Sequence, residues 1–120
     1  MISVIITTKD ESAHLPKLLK SLSRQSYRDF EVIVVDNKST DGTKNIARMT
    51  GARVFDKGPE RSAQRNFGVQ QAKGEYVLIL DADMILTKEV LKDCASKVEK
   101  NPATGALIIP EKSFGIGFWA

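Results

Sequence analysis

The stretch Val77 to Met84, "VLILDADM", joins an unbroken apolar run to two carboxylates, Asp81 and Asp83, separated by one alanine. Apolar residues at every position, rather than at every second one, mark a strand covered on both faces, as in a parallel sheet. Such a strand delivers its two acids to one edge of the sheet. Two explanations stand side by side: a turn that uses Asp for local hydrogen bonds, or negative oxygens held for a ligand that needs them.

Outward from this point the chain repeats the pattern. Ile2 to Thr7 and Phe30 to Val35 ("FEVIVV") are two more short apolar, β-branched runs. Between them, in "LPKLLKSLSRQ", Leu15, Leu18, Leu19 and Leu22 follow the spacing of an amphipathic helix, with Pro16 tolerated in its first turn. That is one βαβ unit. "STDGT" then supplies turn and cap residues, "KNIARMT" predicts a short helix closed by Gly51, and "ARVF" a brief third strand. Residues 60–73 predict a weakly amphipathic helix ended by Gly74. After the acidic pair, Thr87 is the expected cap of a helix whose apolar face is Val90, Leu91, Cys94 and Val98, stopped by Asn101 and Pro102; "GALIIP" is the last strand. The alternation predicts an α/β fold: an open, mostly parallel, Rossmann-like sheet with helices on both faces and right-handed crossovers.

The 120 residues suit one domain, and 42% hydrophobic with 28% charged residues excludes a disordered chain. The net charge of +3 is spread along both halves of the sequence, which predicts a mildly basic surface and no nucleic-acid partner. A single cysteine excludes an internal disulfide and fits a reducing compartment. Cys94 falls on an apolar helix face and reads as core, while His14, beside Pro16, reads as surface. The apolar runs are strand-sized and no basic leader precedes them, so a cytoplasmic chain is expected, with membrane association only through segments absent from it.

In an open parallel sheet, ligands bind in the crevice beyond the carboxyl ends of the strands. Strand one delivers Thr7, Thr8, Lys9, Asp10 and Glu11 there, strand two Asp36 and Asn37, and strand four Asp81 and Asp83. If the extended conformation persists, Asp81 and Asp83 point the same way and repel unless a cation lies beside them. Mg2+ or Mn2+ bound to one or two carboxylates, with phosphates completing the shell, would satisfy both. Asp36 leaves a buried strand straight into "NKSTDGT", where Ser39, Thr40 and Asp41 read as helix-capping residues and Asp36 does not; its carboxylate could accept from a base N–H or a ribose hydroxyl. Arg61 and Arg65, one helical turn apart, would clamp phosphate or form a solvated face, and Lys57 reads as surface. Neither a Walker loop nor G-x-G-x-x-G is present, which removes the ATPase and ordinary dinucleotide readings.

Taken in order, "SVIITTKDE", "FEVIVVDNKSTDGT" and "RSAQRNFGVQQAKGEYVLILDADM" resemble the donor-binding half of the family 2 glycosyltransferases with the GT-A fold, over residues 2 to about 110. The resemblance implies an inverting enzyme that moves a sugar from a nucleotide-diphosphate donor, most often a UDP-sugar, to an acceptor hydroxyl of unknown identity. Carried over by position, it puts Thr8 and Glu11 in the nucleoside pocket, Asp36 on the base and Arg65 against the nucleotide. Asp81 would face the ribose or sugar, and Asp83, with Asp81, the Mn2+ or Mg2+ that bridges the diphosphate. The chain departs from the family pattern at Asp10-Glu11, where Asn-Glu is usual, and at Asn37-Lys38, where Asp-Gly is usual. The family's general base lies well downstream, beyond Ala120, and Glu111 does not match it. The apolar tail Phe114, Ile116, Phe118 and Trp119 fits a chain that is the N-terminal part of a longer one, with a partner or a further segment covering it.

Three other readings compete. A nucleotidyltransferase would need a glycine-rich loop after strand one, and "TTKDES" has no glycine. A phospho-acceptor signalling domain is met by Asp10, Glu11 and Asp56 but poorly by "IIPEK". A catalytically idle donor-binding domain would share every motif.

Overall fold

In a computed structural model of the chain, residues 1–100 and 106–108 are described, with side chains through residue 97. The elements run β1 (Ile2–Thr8), α1 (Leu15–Ser23), β2 (Phe30–Asp36), α2 (Thr43–Met49), β3 (Arg53–Asp56), α3 (Arg61–Gln71), β4 (Tyr76–Asp81), α4 (Val90–Lys100) and β5 (Ala106–Ile108). The strands form one parallel sheet in the order β3-β2-β1-β4-β5. The chain steps from β1 outward to β2 and β3, then returns to β4 on the far side of β1. The order therefore reverses between β1 and β4, and the crevice between their carboxyl ends is where such a sheet takes its ligand.

The strands are apolar at every position because both faces are covered. Ile2, Val4, Ile6, Val34, Leu78 and Leu80 face α1, α2 and α4, whose contributions include Leu18, Ala47 and Leu91. Ile5, Ile33, Val35, Val77 and Ile79 face α3, through Phe67. Gly68 lets α3 lie directly on β1: a Cβ there would stand 2.6 Å from Ile5 Cγ2. Gly51 closes α2 with a positive φ of 85°, as the sequence predicts.

Two expectations need correction. Thr87 does not cap α4, which begins three residues later; its carbonyl accepts instead from Val90 N (3.4 Å) and from the buried Gln25 Nε2 (2.7 Å). The crossovers do not all share one hand. With α1 and α4 on the same face, the steps β1 to β2 and β4 to β5 run in opposite directions across the sheet, so their connections have opposite hands. Gln25 explains the placement of α4 beside α1, because it also accepts from Leu91 N at 3.0 Å and so ties the two helices through their ends. No helix among the described residues is long and apolar enough to cross a membrane. The apolar tail, Glu111 and Pro110 lie outside the described residues, as does the side chain of Val98.

The amino-terminal edge of the sheet is fastened by Glu31. Its carboxylate accepts from Ser3 Oγ (2.6 Å), Lys73 N (2.7 Å) and Arg53 Nη1 (3.1 Å), joining β1, β2, β3 and the turn before β4. Partial burial opposes its ionisation, but Ser3, Lys73 and Arg53 together outweigh that and hold its pKa below the ordinary carboxylate value.

Candidate functional site

At the carboxyl edge the strand register sets two pairs side by side: Thr8 opposite Asp36 across β1 and β2, and Thr7 opposite Asp81 across β1 and β4. Consecutive residues of β1 point to opposite faces, so one strand end serves two different clusters.

The first cluster is closed. Asp36 is fully buried, and its carboxylate accepts from Thr8 Oγ1 (2.6 Å), Ser39 Oγ (2.6 Å) and Ser39 N (2.7 Å). Beneath it, the Gln64 amide donates to Thr8 O (3.1 Å) and Val35 O (2.8 Å), pinning the ends of β1 and β2 to α3. The loops after β1 and β2 are laced together in the same way. Asp10 N donates to Ser39 Oγ, Thr40 N to Asp10 Oδ1, Glu11 N to Thr43 Oγ1 and Ser12 N to Asp41 Oδ2. Asp41 also accepts from Thr43 N and from the Thr43 hydroxyl, which, foremost among its donors, depresses its pKa strongly. Asp41 thus holds the first residue of α2 from the turn that precedes its N-cap, Gly42, rather than from the cap position itself, whereas Ser39 belongs to Asp36 rather than to the helix.

Two non-glycine residues in these loops have positive φ, Asp10 (50°) and Lys38 (48°). They are the two places where the chain departs from the pattern it resembles. Asn and Gly, usual at those positions, are the residues that enter the left-handed region most readily.

The second cluster is open. Thr7, Glu11, Arg61, Asp81, Ala82 and Asp83 line a cavity of about 260 Å³ between β1 and β4. The extended conformation does not persist to Asp83: Met84 N donates to Asp81 O (3.1 Å), closing a turn. The turn nevertheless carries both carboxylates to the same cavity, with Ala82 buried between them. Asp81 is partly exposed and pairs with Arg61 Nη1 at 3.8 Å, while Asp83 is exposed. Glu11 is held by His14 Nδ1 at 3.0 Å.

Among the described residues no group of three or more His, Cys, Asp or Glu side chains is placed to hold a metal ion. The donor set here is of another kind, two or three hard oxygens around a polar cavity. That suits a Mg2+- or Mn2+-type ion whose remaining ligands come from a bound phosphate. The expected residues thus separate into two groups: Thr8 with Asp36, and Glu11 with Asp81 and Asp83. Arg65 stands apart on α3, its Nε buried and without a hydrogen-bond partner.

Sequence reasoning missed Gln64; it placed Thr7 at the carboxyl edge, where the structure finds it lining the cavity, but gave it no role. Gln64 was legible as a polar residue four positions before Gly68, on the sheet-facing side of α3. Arg61, expected either to clamp phosphate or to form a solvated face, is a largely exposed residue paired with Asp81 at 3.8 Å. Cys94 is buried core as expected, and burial pushes its thiol up to about 11, which keeps it protonated and inert at neutral pH.

An open α/β sheet with a polar, carboxylate-lined cavity at its switch point belongs to the class of doubly wound proteins that take their ligand beyond the strand ends. Comparison narrows it: the sequence profile of glycosyl transferase family 2 matches residues 3–119, and the chain belongs to that family. It is 34% identical over 117 residues to the poly(ribitol-phosphate) beta-N-acetylglucosaminyltransferase TarS of Staphylococcus aureus, an alignment covering 88% of this chain and 20% of TarS. The crystal structure of S. aureus TarS residues 1–349 with UDP-GlcNAc superposes with a TM-score of 0.73 at 36% identity, over 84% of this chain and 32% of that one. The mannosyltransferase PcManGT of Pyrobaculum calidifontis, solved with GDP-Man and Mn2+, superposes with a TM-score of 0.73 at 27% identity, over 81% and 32%. The chain thus spans about a fifth of TarS and a third of the solved chains. Membership sets aside the nucleotidyltransferase and signalling readings; Asp56, on which the latter leaned, is a surface partner of Lys44 (3.1 Å).

Proposed function

We propose that the chain forms the donor-binding part of an inverting glycosyltransferase that moves a sugar from a nucleotide-diphosphate sugar, a UDP-sugar before a GDP-sugar, to an acceptor hydroxyl. The observation that carries this is the convergence of Glu11, Asp81 and Asp83 on one polar cavity at the β1/β4 switch point. In this reading Asp83, with Asp81, holds a divalent cation against the donor diphosphate. When bound, such a cation would supply charge neutralisation for the departing nucleoside diphosphate, which would make it a better leaving group.

The chain's own residues divide the remaining work. Asp36, expected on the base, is buried with both carboxylate oxygens already filled, so in this reading it and Thr8 act by fixing the loops after β1 and β2 beside the nucleoside before any ligand arrives. Glu11 borders the ribose side. Arg61, on the cavity wall 3.8 Å from Asp81, would be within reach of a donor phosphate, and Arg65, one helical turn on, would have its unpaired Nε–H for the nucleotide. The general base is assigned to no residue of this chain. The name of TarS specifies a phosphate-bearing acceptor, and an acceptor of that chemistry is in keeping with this reading.

Calorimetric titration of the chain with UDP and with GDP, each with and without Mn2+, tests it. Mn2+-dependent binding of one nucleotide, abolished by Asp83→Ala, is the expected result. Equal binding by the wild type and the variant would remove the cation from Asp83, and no binding of either nucleotide by the folded chain would remove the donor site.

A further inference from the structure

The basic residues, evenly spread in sequence, are not evenly spread in space. A groove of about 830 Å³ runs between α1 and residues 85–88, and Lys17, Lys20, Arg24 and Lys88 line it with no acidic residue among them. Those four charges exceed the net +3 of the whole chain. None of them has a carboxylate within ion-pair distance among the described residues. Glu89, next in sequence to Lys88, is turned away onto Ser26 Oγ at 2.7 Å. Lys17, Lys20 and Arg24 fall on one face of α1, where like charges three or four apart disfavour the helix. The C-terminal macrodipole offsets that for Lys20 and Arg24, but not for Lys17 in the first turn or for Lys88, which lies outside any helix.

The floor of the groove is fixed. Ser21 Oγ donates to Leu18 O (2.7 Å) and accepts from Leu86 N (3.1 Å), and Gln25 Nε2 bridges Ser21 O (3.1 Å) and Thr87 O (2.7 Å). A rigid floor under four unpaired cations lowers the cost of ordering an anionic ligand.

Both walls are continuations of the acidic cavity. Glu11 leads through His14 into α1, and Asp83 leads through Met84 into residues 85–88. The nine residues of α1 extend about 13 Å, the reach of one or two phosphodiester repeats. A groove of opposite charge that starts at Ile85, two residues past Asp83, and runs along α1 away from the proposed donor cavity suits an anion other than the donor's own diphosphate. No aromatic residue lines it, so it lacks the stacking platform of a single-stranded nucleic-acid site.

We infer that this groove receives the phosphorylated part of the acceptor, with Lys17, Lys20, Arg24 and Lys88 as the specificity-determining contacts. The inference rests on the transferase reading, which assigns the adjoining cavity to the donor.

The test is calorimetric titration of the chain with a short glycerol-phosphate oligomer and, separately, with UDP and Mn2+. The oligomer should bind the wild type, and the double variant Lys20→Glu/Arg24→Glu should weaken it tenfold or more while UDP binding stays within twofold. Lys88→Glu, on the opposite wall, should weaken the oligomer in the same direction, and circular dichroism checks that each variant folds. Absence of oligomer binding, or equal binding by the wild type and both variants, overturns the inference. So does binding confined to phosphatidylglycerol vesicles, which would make the groove a membrane contact, or tighter binding of a thymidine oligonucleotide with the same number of phosphates. If the oligomer behaves as expected while UDP does not bind, the phosphodiester groove stands and its role as an acceptor site falls with the transferase reading.

Discussion

The two halves of the carboxyl edge are built on opposite principles. Between β1 and β2, Asp36 is sealed, its oxygens filled by Thr8 and Ser39, and the flanking loops hold one another through backbone-to-side-chain bonds. Between β1 and β4, Asp81 and Asp83 are left partly or wholly open, with one long ion pair to Arg61 among the described residues. A saturated carboxylate contributes to folding. An open pair contributes little to folding, and the proposed function gives it a ligand to hold.

The largest effect that would break this contrast is on the sealed side. Asp36→Ala removes the acceptor of two buried or part-buried hydroxyls and one N–H. A loss of about 3 kcal/mol in urea unfolding is expected, since charged hydrogen bonds contribute more than neutral ones and their donors would be left unpaired. A change under ~1 kcal/mol would mean that water replaces the carboxylate and that the cluster is not closed.

On the open side the expectation reverses. Asp83→Ala should leave stability within about 0.5 kcal/mol of wild type, because the side chain is exposed and makes no described hydrogen bond. Mn2+-dependent binding of UDP should fall at least tenfold. If the variant instead unfolded more easily by several kcal/mol, the acidic pair would be structural and the contrast would disappear.

A smaller effect separates both halves from the opposite edge of the sheet. Glu31 has a depressed pKa, so its contribution is present above the ordinary carboxylate range and is lost as pH falls through that range toward the folded value. Glu31→Gln should cost about 1 kcal/mol at neutral pH, after allowance for screening by solvent at the part-exposed Arg53. The gap between wild type and variant should narrow as pH falls through the ordinary carboxylate range and close once Glu31 is protonated in the folded protein, read from urea midpoints as a function of pH. A constant gap across that range would remove ionisation from the explanation.

Strand positions were legible because parallel strands covered on both faces must be apolar throughout, and the runs around Val4, Val34 and Leu78 met that requirement. Asp36 and the acidic pair were legible because a polar group at the end of such a run has nowhere to be but the edge. Periodicity does not encode which helices become neighbours. The opposite hand of the β4 to β5 connection follows from Gln25 and Leu91, residues 66 apart in sequence. The basic groove was hidden for the same reason, since Lys88 meets Lys17 and Arg24 only after α1 and the segment following β4 lie side by side. Nor does the sequence state where extension ends, and the turn at Asp81 to Met84 had to be seen.

The smallest predicted effect tests why the sealed half tolerates a strained residue. Lys38 lies in the loop that carries Ser39 onto Asp36, with φ at 48°, where a side chain costs roughly 1–2 kcal/mol relative to glycine. Glycine in turn gives the unfolded chain more freedom, which returns part of that gain. Lys38→Gly should therefore stabilise the chain by about 0.5–1 kcal/mol in urea unfolding, with Asp36 still buried. The informative measurement is the nucleotide titration of the same variant. Unchanged UDP binding would make Lys38 a tolerated strain in a loop held by Ser39 and Asp10. Weakened binding in a more stable protein would mean that the lysine works on the donor, and that the closed half of the edge exchanges stability for recognition much as the open half does.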